Sequence, residues 1–304
     1  MLIVAEDPPG DGSPATSAIR GNDMTILVTG ARGNIGSRVV AKLAEAGHRV
    51  RGSARDAAAL RLPTGADAVG LDITDPRDAQ EALRDVEAMF LYPTRGEIDD
   101  FLKVAHEAGV RHVVLLSSPA SYEPGEYDRP IGLAHRAVER ALENSGLRHT
   151  VLYPSWLATN ARRDWGEQIR SRGRVGIAFP DARVTPIHID DIAEVAVNLL
   201  TRDAHRGRMQ VLTGPESLRL RDVVGILGDA VGRPVQVDEL TREQALAQRD
   251  PRMPEAVLKA LLDTAAEAVG VPSPVTNTVE RITGHPSRPF AEWARAHRAD
   301  FQAS

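Results

Sequence analysis

The chain has 304 residues, long enough to bury a sizeable core as one large unit or two smaller ones. Its net charge of −5, with both signs interspersed, gives no reason to expect nucleic acid or an anionic membrane as a partner. The absence of cysteine excludes disulfides, thiol nucleophiles, cysteine-ligated zinc and iron–sulfur clusters together.

Residues 1–23 are rich in Gly, Pro, Asp and Ser, and such a segment buries too little apolar surface to offset its ordering entropy. A disordered extension is expected there, with Met24 opening the folded part. Met1-Leu2-Ile3-Val4-Ala5 runs at once into acid and proline, unlike a signal peptide, and no apolar run approaches the length of a membrane span. A cytoplasmic protein is expected.

The first strand, Thr25-Ile26-Leu27-Val28, leads into Thr29-Gly30-Ala31-Arg32-Gly33-Asn34-Ile35-Gly36 and then a helical pattern closed by Gly47. Strand, glycine turn and helix form the context of a dinucleotide fingerprint. Gly30 permits the tight turn, Gly33 the approach of backbone to a pyrophosphate, and Gly36 close packing of helix on sheet. The first N–H groups of the helix and its positive dipole end would face the phosphates. An ordinary strand-to-helix turn is the competing reading.

Further strands are expected at 48–53, 66–71, 88–91, 112–116 and 149–152. Helices between them run from Thr74-Asp75-Pro76 to about Arg84, from about Ile98 to Ala108, and from about Gly132 to Asn144. Regular alternation with short apolar strands predicts an α/β fold, a Rossmann-type doubly wound parallel sheet over 24–154. After Tyr153-Pro154 the regularity lapses. A helix over 165–172, an extended piece at 183–187 and a strong helix Ile192–Leu200 capped by Asp190 or Asp191 come first. A strand near 208–213 is expected to return to the sheet. Residues 155–304 read as a smaller, mainly helical substrate-binding region.

These motifs resemble the NmrA-like group of atypical short-chain dehydrogenases/reductases, relatives of NADPH-dependent quinone reductases. The resemblance rests on the glycine loop, the Ser117-Ser118 strand end, Ala137-Val138-Glu139-Arg140-Ala141-Leu142-Glu143-Asn144-Ser145-Gly146-Leu147 and Thr150-Val151-Leu152-Tyr153-Pro154. Pro186-Ile187-His188-Ile189-Asp190-Asp191-Ile192-Ala193 and Phe290-Ala291-Glu292-Trp293 complete it. It spans nearly all of Met24 to Phe301. It implies that Asp72 and Ile73 sit at an adenine, that Tyr92, Pro93 and Thr94 run along the nicotinamide ribose and diphosphate, and that Tyr153, Pro154 and Ser155 lie beside the nicotinamide. Ser117 belongs to the same cofactor set.

A carboxylate at the end of the second strand would select NAD(H). Here that strand ends in Ser53-Ala54-Arg55, and Arg32 lies in the glycine loop, so NADP(H) is preferred over NAD(H). Asp56 beside Arg55 weighs against this, as does the reading of both arginines as solvated surface groups.

The resemblance also exposes a gap, because the superfamily's Tyr-x-x-x-Lys is missing. Tyr122 is followed four positions on by Glu126 and Tyr127 by Ile131, and His135 occupies the family's lysine position. Three explanations stay open. His135 holds the ribose and donates the proton, with Tyr127 as a further catalytic candidate; or a quinone acceptor needs no strong acid, since its hydroquinone anion is protonated by solvent; or nothing turns over. Ser118, Tyr122, Trp156 and Trp165 are candidates for the substrate pocket, with core packing the competing reading for both tryptophans. No metal is expected: His188 with Asp190 and Asp191 reads as a helix start.

The expected function is an NADPH-dependent oxidoreductase passing hydride to a quinone or aromatic carbonyl. An arginine-rich chain with three lysines suggests a GC-rich bacterial gene and a natural-product intermediate as substrate. A non-catalytic NADP(H) sensor is the alternative and a non-redox epimerase or tailoring enzyme the third; a homodimer is an expected assembly.

Overall fold

The protein's structure, a computed structural model, describes residues 24–302 apart from positions 76, 78, 95, 122–129, 208 and 252. The expected N-terminal extension, Tyr122 and Tyr127 lie outside the described residues.

The chain runs β1 (Thr25–Val28), α1 (Gly36–Glu45), β2 (Arg49–Ala54), β3 (Ala66–Gly70), α2 (Ala79–Ala82), β4 (Val86–Leu91), α3 (Asp99–Glu107), β5 (His112–Leu116), α4 (Pro130–Asn144) and β6 (His149–Pro154). Then come α5 (Asn160–Arg172), β7 (Arg174–Ala178), β8 (Arg183–Val184), α6 (Ile189–Thr201), β9 (Met209–Leu212), β10 (Leu218–Arg219) and α7 (Leu220–Val231). The last elements are β11 (Gln236–Leu240), α8 (Arg242–Ala247), α9 (Glu255–Glu267), α10 (Thr278–Thr283) and α11 (Phe290–Ala296).

Seven strands form one sheet in the order β3-β2-β1-β4-β5-β6-β9, every neighbouring pair parallel. The order reverses between β1 and β4, and that reversal opens a crevice at the carboxyl ends of the strands. Both faces are covered. Ile26 and Val28 join the layer under α1, α6 and α10, while Leu27 joins the layer under α3 and α4. This is the period-two alternation that a doubly covered strand requires. A third core gathers Trp165, Phe290, Trp293 and Phe301 with apolar residues of α5, β7 and α7. Two small sheets, β7 with β11 and β8 with β10, tie this part together.

Three boundaries differ from expectation. The helix expected to reach Arg84 is only Ala79–Ala82, because Asp85 adopts φ +60° and turns the chain directly into β4. The helix α5 begins at Asn160 rather than 165. The cap of α6 is neither Asp190 nor Asp191 but His188, whose Nδ1 accepts the Asp190 N–H at 3.1 Å. Asp191 is instead fully buried and Asp190 pairs with Arg38, so both aspartates are taken by tertiary contacts.

Candidate functional site

The glycine loop sits at the carboxyl end of β1, beside the crevice. Gly30 turns at φ +64°, and the Gly33 N–H donates to the Gly30 carbonyl at 2.8 Å. A Cβ on Gly36 would overlap the Gly30 carbonyl outright, so the position admits only glycine. Contact within its own loop, rather than with the sheet, imposes this. The Ala31 N–H donates to Ser53 O at 3.2 Å, which anchors the loop to the end of β2. At the start of α1 no side chain caps Ile35 and no carboxylate occupies the first turn. The loop and the uncapped helix end therefore fit a dinucleotide diphosphate, with donors and dipole free for it.

Arg32 and Asn34 on the loop are exposed and Ile35 is buried. Arg55, beyond β2, is exposed as well, and neither arginine forms an ion pair among the described residues. Asp56 is occupied elsewhere: its carboxylate accepts the Ala58 N–H at 3.0 Å and caps a short 3₁₀ turn. Asp72, past β3, accepts from the Thr74 hydroxyl at 2.7 Å and the Thr74 N–H at 3.0 Å. These bonds, with the positive charge of Arg55, hold its carboxyl below the usual range. Ile73 packs half-buried on the core beneath α3. Beyond β4, the Tyr92 N–H donates to Thr29 Oγ1 at 2.7 Å, and the Tyr92 side chain lies against Gly30. Tyr92 is 42% exposed, with Pro93 and Thr94 half-buried after it.

The end of β5 meets α4 in a polar cluster. Ser117 Oγ lies 3.3 Å from His135 Nδ1 and donates to Glu139 Oε1. Ser121 Oγ reaches the same carboxylate oxygen at 2.7 Å, and Arg136 Nη1 donates to Glu139 Oε2 at 3.0 Å. Glu139 is 2% exposed. Burial lowers the His135 pKa against the opposing pull of Glu139, so the imidazole is neutral near pH 7. Ser118 Oγ accepts the Ala120 N–H at 3.3 Å and its carbonyl accepts from Ser121. Sequence reasoning selected His135 and Ser117 but missed Glu139 and Ser121. The signal was a carboxylate one turn from His135, between Val138 and Leu142 on the apolar face of α4.

On β6, Tyr153 and Pro154 are buried, and the Ser155 hydroxyl donates to the Thr185 carbonyl. The Ser155 N–H is likewise donated, to Leu212 O at 2.8 Å, so both donors of the residue are committed to the scaffold. Trp165, expected at the substrate pocket, is 6% exposed with its ring 5.8 Å from that of Trp156. It belongs to the third core; Trp156 is half-buried at the edge of that core, against Phe290.

Asp191, Glu194 and His285 bring donor atoms within 4.8 Å of one another. Their carboxylates already hold cations. Arg288 bonds to both, Lys42 Nζ donates to Glu194 at 2.7 Å, and His285 Nε2 lies 2.6 Å from it. The cluster works as an ion-pair clasp between α1, α6 and the segment before α11.

Residues 30–203 match the NAD(P)H-binding family. The chain is 36% identical over 281 residues to the (4-alkanoyl-5-oxo-2,5-dihydrofuran-3-yl)methyl phosphate reductase of Streptomyces griseus, covering 91% of this chain and 99% of that one. It is 33% identical to the NAD(P)H azoreductase of Xenophilus azovorans, over 92% and 100% of the two chains. The NADPH-dependent quinone oxidoreductase of Escherichia coli, solved with NADPH, superposes with a TM-score of 0.74 at 22% identity, over 90% and 99% of the chains. Among the described residues no helix is long and apolar enough to cross a membrane.

Proposed function

Because the chain belongs to the NAD(P)H-binding family, as an NmrA-like atypical short-chain dehydrogenase/reductase, and is an NAD(P)H-dependent oxidoreductase, we propose that it uses NADPH to reduce a quinone or related conjugated carbonyl. One observation carries the reading. The glycine loop and the Ser117–His135 pair open on the same carboxyl edge of the sheet, and the pair places an imidazole where the superfamily has an ammonium.

A bound reduced nicotinamide would supply the hydride. The backbone of 30–36 and the uncapped start of α1 would bind the diphosphate. Arg32 and Arg55 would hold the 2′-phosphate, Asp72 and Ile73 would lie at the adenine, and Tyr92, Pro93 and Thr94 along the ribose and diphosphate. Ser117 and His135 would hold the nicotinamide ribose. Burial, by lowering the His135 pKa, leaves little imidazolium to give a proton at neutral pH. The residues thus favour an acceptor whose reduced anion is stabilised by conjugation and takes its proton from water. Quinones and conjugated carbonyls meet that condition, and the chain's work is to orient two flat rings. An azoreductase and a reductase of an unsaturated lactone among the relatives support the same acceptor type. A natural-product intermediate is the substrate class favoured.

The test follows NADPH and NADH oxidation by the purified chain with a panel of small and polycyclic quinones, alongside fluorescence titration of both nucleotides. Saturable NADPH consumption with tighter NADPH than NADH binding is expected. Tight binding without turnover on any acceptor would overturn the quinone reading, and failure to bind either nucleotide would overturn the site.

A further inference from the structure

We propose that Glu139 is a positioning residue that acts through Ser117 to hold His135 in the tautomer protonated on Nδ1, leaving Nε2 as an acceptor for a hydroxyl donor. Glu139, buried on the inner face of α4, receives Arg136 Nη1 on Oε2 at 3.0 Å, and Ser121 Oγ, whose one proton is shared with the Ser118 carbonyl at 2.8 Å, lies 2.7 Å from Oε1. Ser117 Oγ also donates to Oε1. A serine hydroxyl has one proton and two lone pairs. With that proton directed at the carboxylate, Ser117 can only accept at its other contact, His135 Nδ1, 3.3 Å away. Nδ1 must then carry the hydrogen. In a neutral imidazole the second nitrogen is left with a lone pair. Nε2 has no hydrogen-bond partner among the described residues.

The consequence is a reversal of hydrogen-bond direction. A lysine at this position can only donate, whereas His135 so held accepts, and the group that suits it is a free hydroxyl. On the reading that a nicotinamide ribose lies here, on which this last step rests, Nε2 takes a hydrogen bond from a ribose hydroxyl.

The tautomer is observable without any ligand. Long-range ¹⁵N–¹H correlation of the full chain, with the His135 signals identified by their loss in His135→Asn, distinguishes a protonated Nδ1 from a protonated Nε2. The wild type is expected in the Nδ1–H form. In Glu139→Gln, Arg136 draws the new amide oxygen to its side and the NH₂ faces Ser117. The Ser117 hydroxyl then loses the carboxylate that held its proton and is free to donate to His135 Nδ1, so the tautomer is expected to shift towards Nε2–H. Ser117→Ala, a smaller change to the core, is expected to abolish the preference altogether. A wild-type imidazole protonated on Nε2, or an unchanged Nδ1–H form in both variants, overturns the proposal. An NADPH titration of Glu139→Gln separates the two readings: a dissociation constant raised about tenfold is expected for a lost hydrogen bond. A shift towards Nε2–H with unaltered NADPH affinity would leave Glu139 in its role and remove the ribose from His135.

Discussion

A 2′-phosphate adds about two negative charges to a nucleotide otherwise the same. Near the expected adenosine end the chain presents the exposed guanidinium groups of Arg32 and Arg55. The carboxylate that would repel such a phosphate, Asp56, is turned into the cap at Ala58. Arg55→Ala is accordingly expected to raise the NADPH dissociation constant about ten- to a hundredfold, the worth of charge-assisted hydrogen bonds. NADH binding should hardly change. Equal weakening of both nucleotides in a fluorescence titration would mean that Arg55 does not touch the 2′ position. At this scale the sequence was readable for groups defined by neighbours in the chain, such as the glycine loop. It was unreadable for Glu139, whose role comes from Ser117 and Ser121 on a different element.

Among the elements, the clasp around Glu194 joins parts far apart in the chain. Lys42 on α1, Asp191 and Glu194 on α6, and His285 and Arg288 before α11 meet at one place. Burial alone would raise the Glu194 pKa, but the hydrogen bonds from Arg288, Lys42 and His285 outweigh it and hold the value at about 2. Asp191, wholly buried, depends on the Arg288 side chain and backbone N–H. Arg288→Ala would leave that carboxylate without its cation and is expected to cost about 3 kcal/mol in urea unfolding. Arg288→Lys should recover part of it. A loss well under about 1 kcal/mol would show the clasp to be dispensable. The segment 186–193 was legible as a helix start, but which residue capped it was not. Arg288 and Arg38 drew the two aspartates away, and the imidazole of His188 took the cap.

For the whole molecule, acid should act through buried imidazoles before it acts through carboxylates. His112 is 2% exposed, and burial, followed by the charges of Arg206, Arg148 and His149, lowers its pKa from 6.5 to about 3. The unfolded chain therefore binds a proton below about 6.5 that the folded chain refuses until about 3. Stability present above pH 6.5 is lost as pH falls through that window, at up to about 1.4 kcal/mol per pH unit. His135 and His188, also lowered by burial, add to the loss. His285, raised by the Pro286 carbonyl and Glu194, works the other way. Urea midpoints should fall between pH 6.5 and 5, and His112→Gln should flatten that slope by about one proton. A slope unaltered in the variant would remove His112 as the cause. What the sequence by itself determined was the alternation of strand and helix, the doubly wound sheet and the glycine loop at its centre. Each is encoded in contiguous residues by hydrophobic period and by the conformational freedom of glycine. Only the tertiary structure decided that Trp165 packs in a core, that Asp56 is occupied, and that Glu139 stands behind His135. Those outcomes depend on which polar and aromatic groups from distant segments meet in a buried space, where most donors find an acceptor.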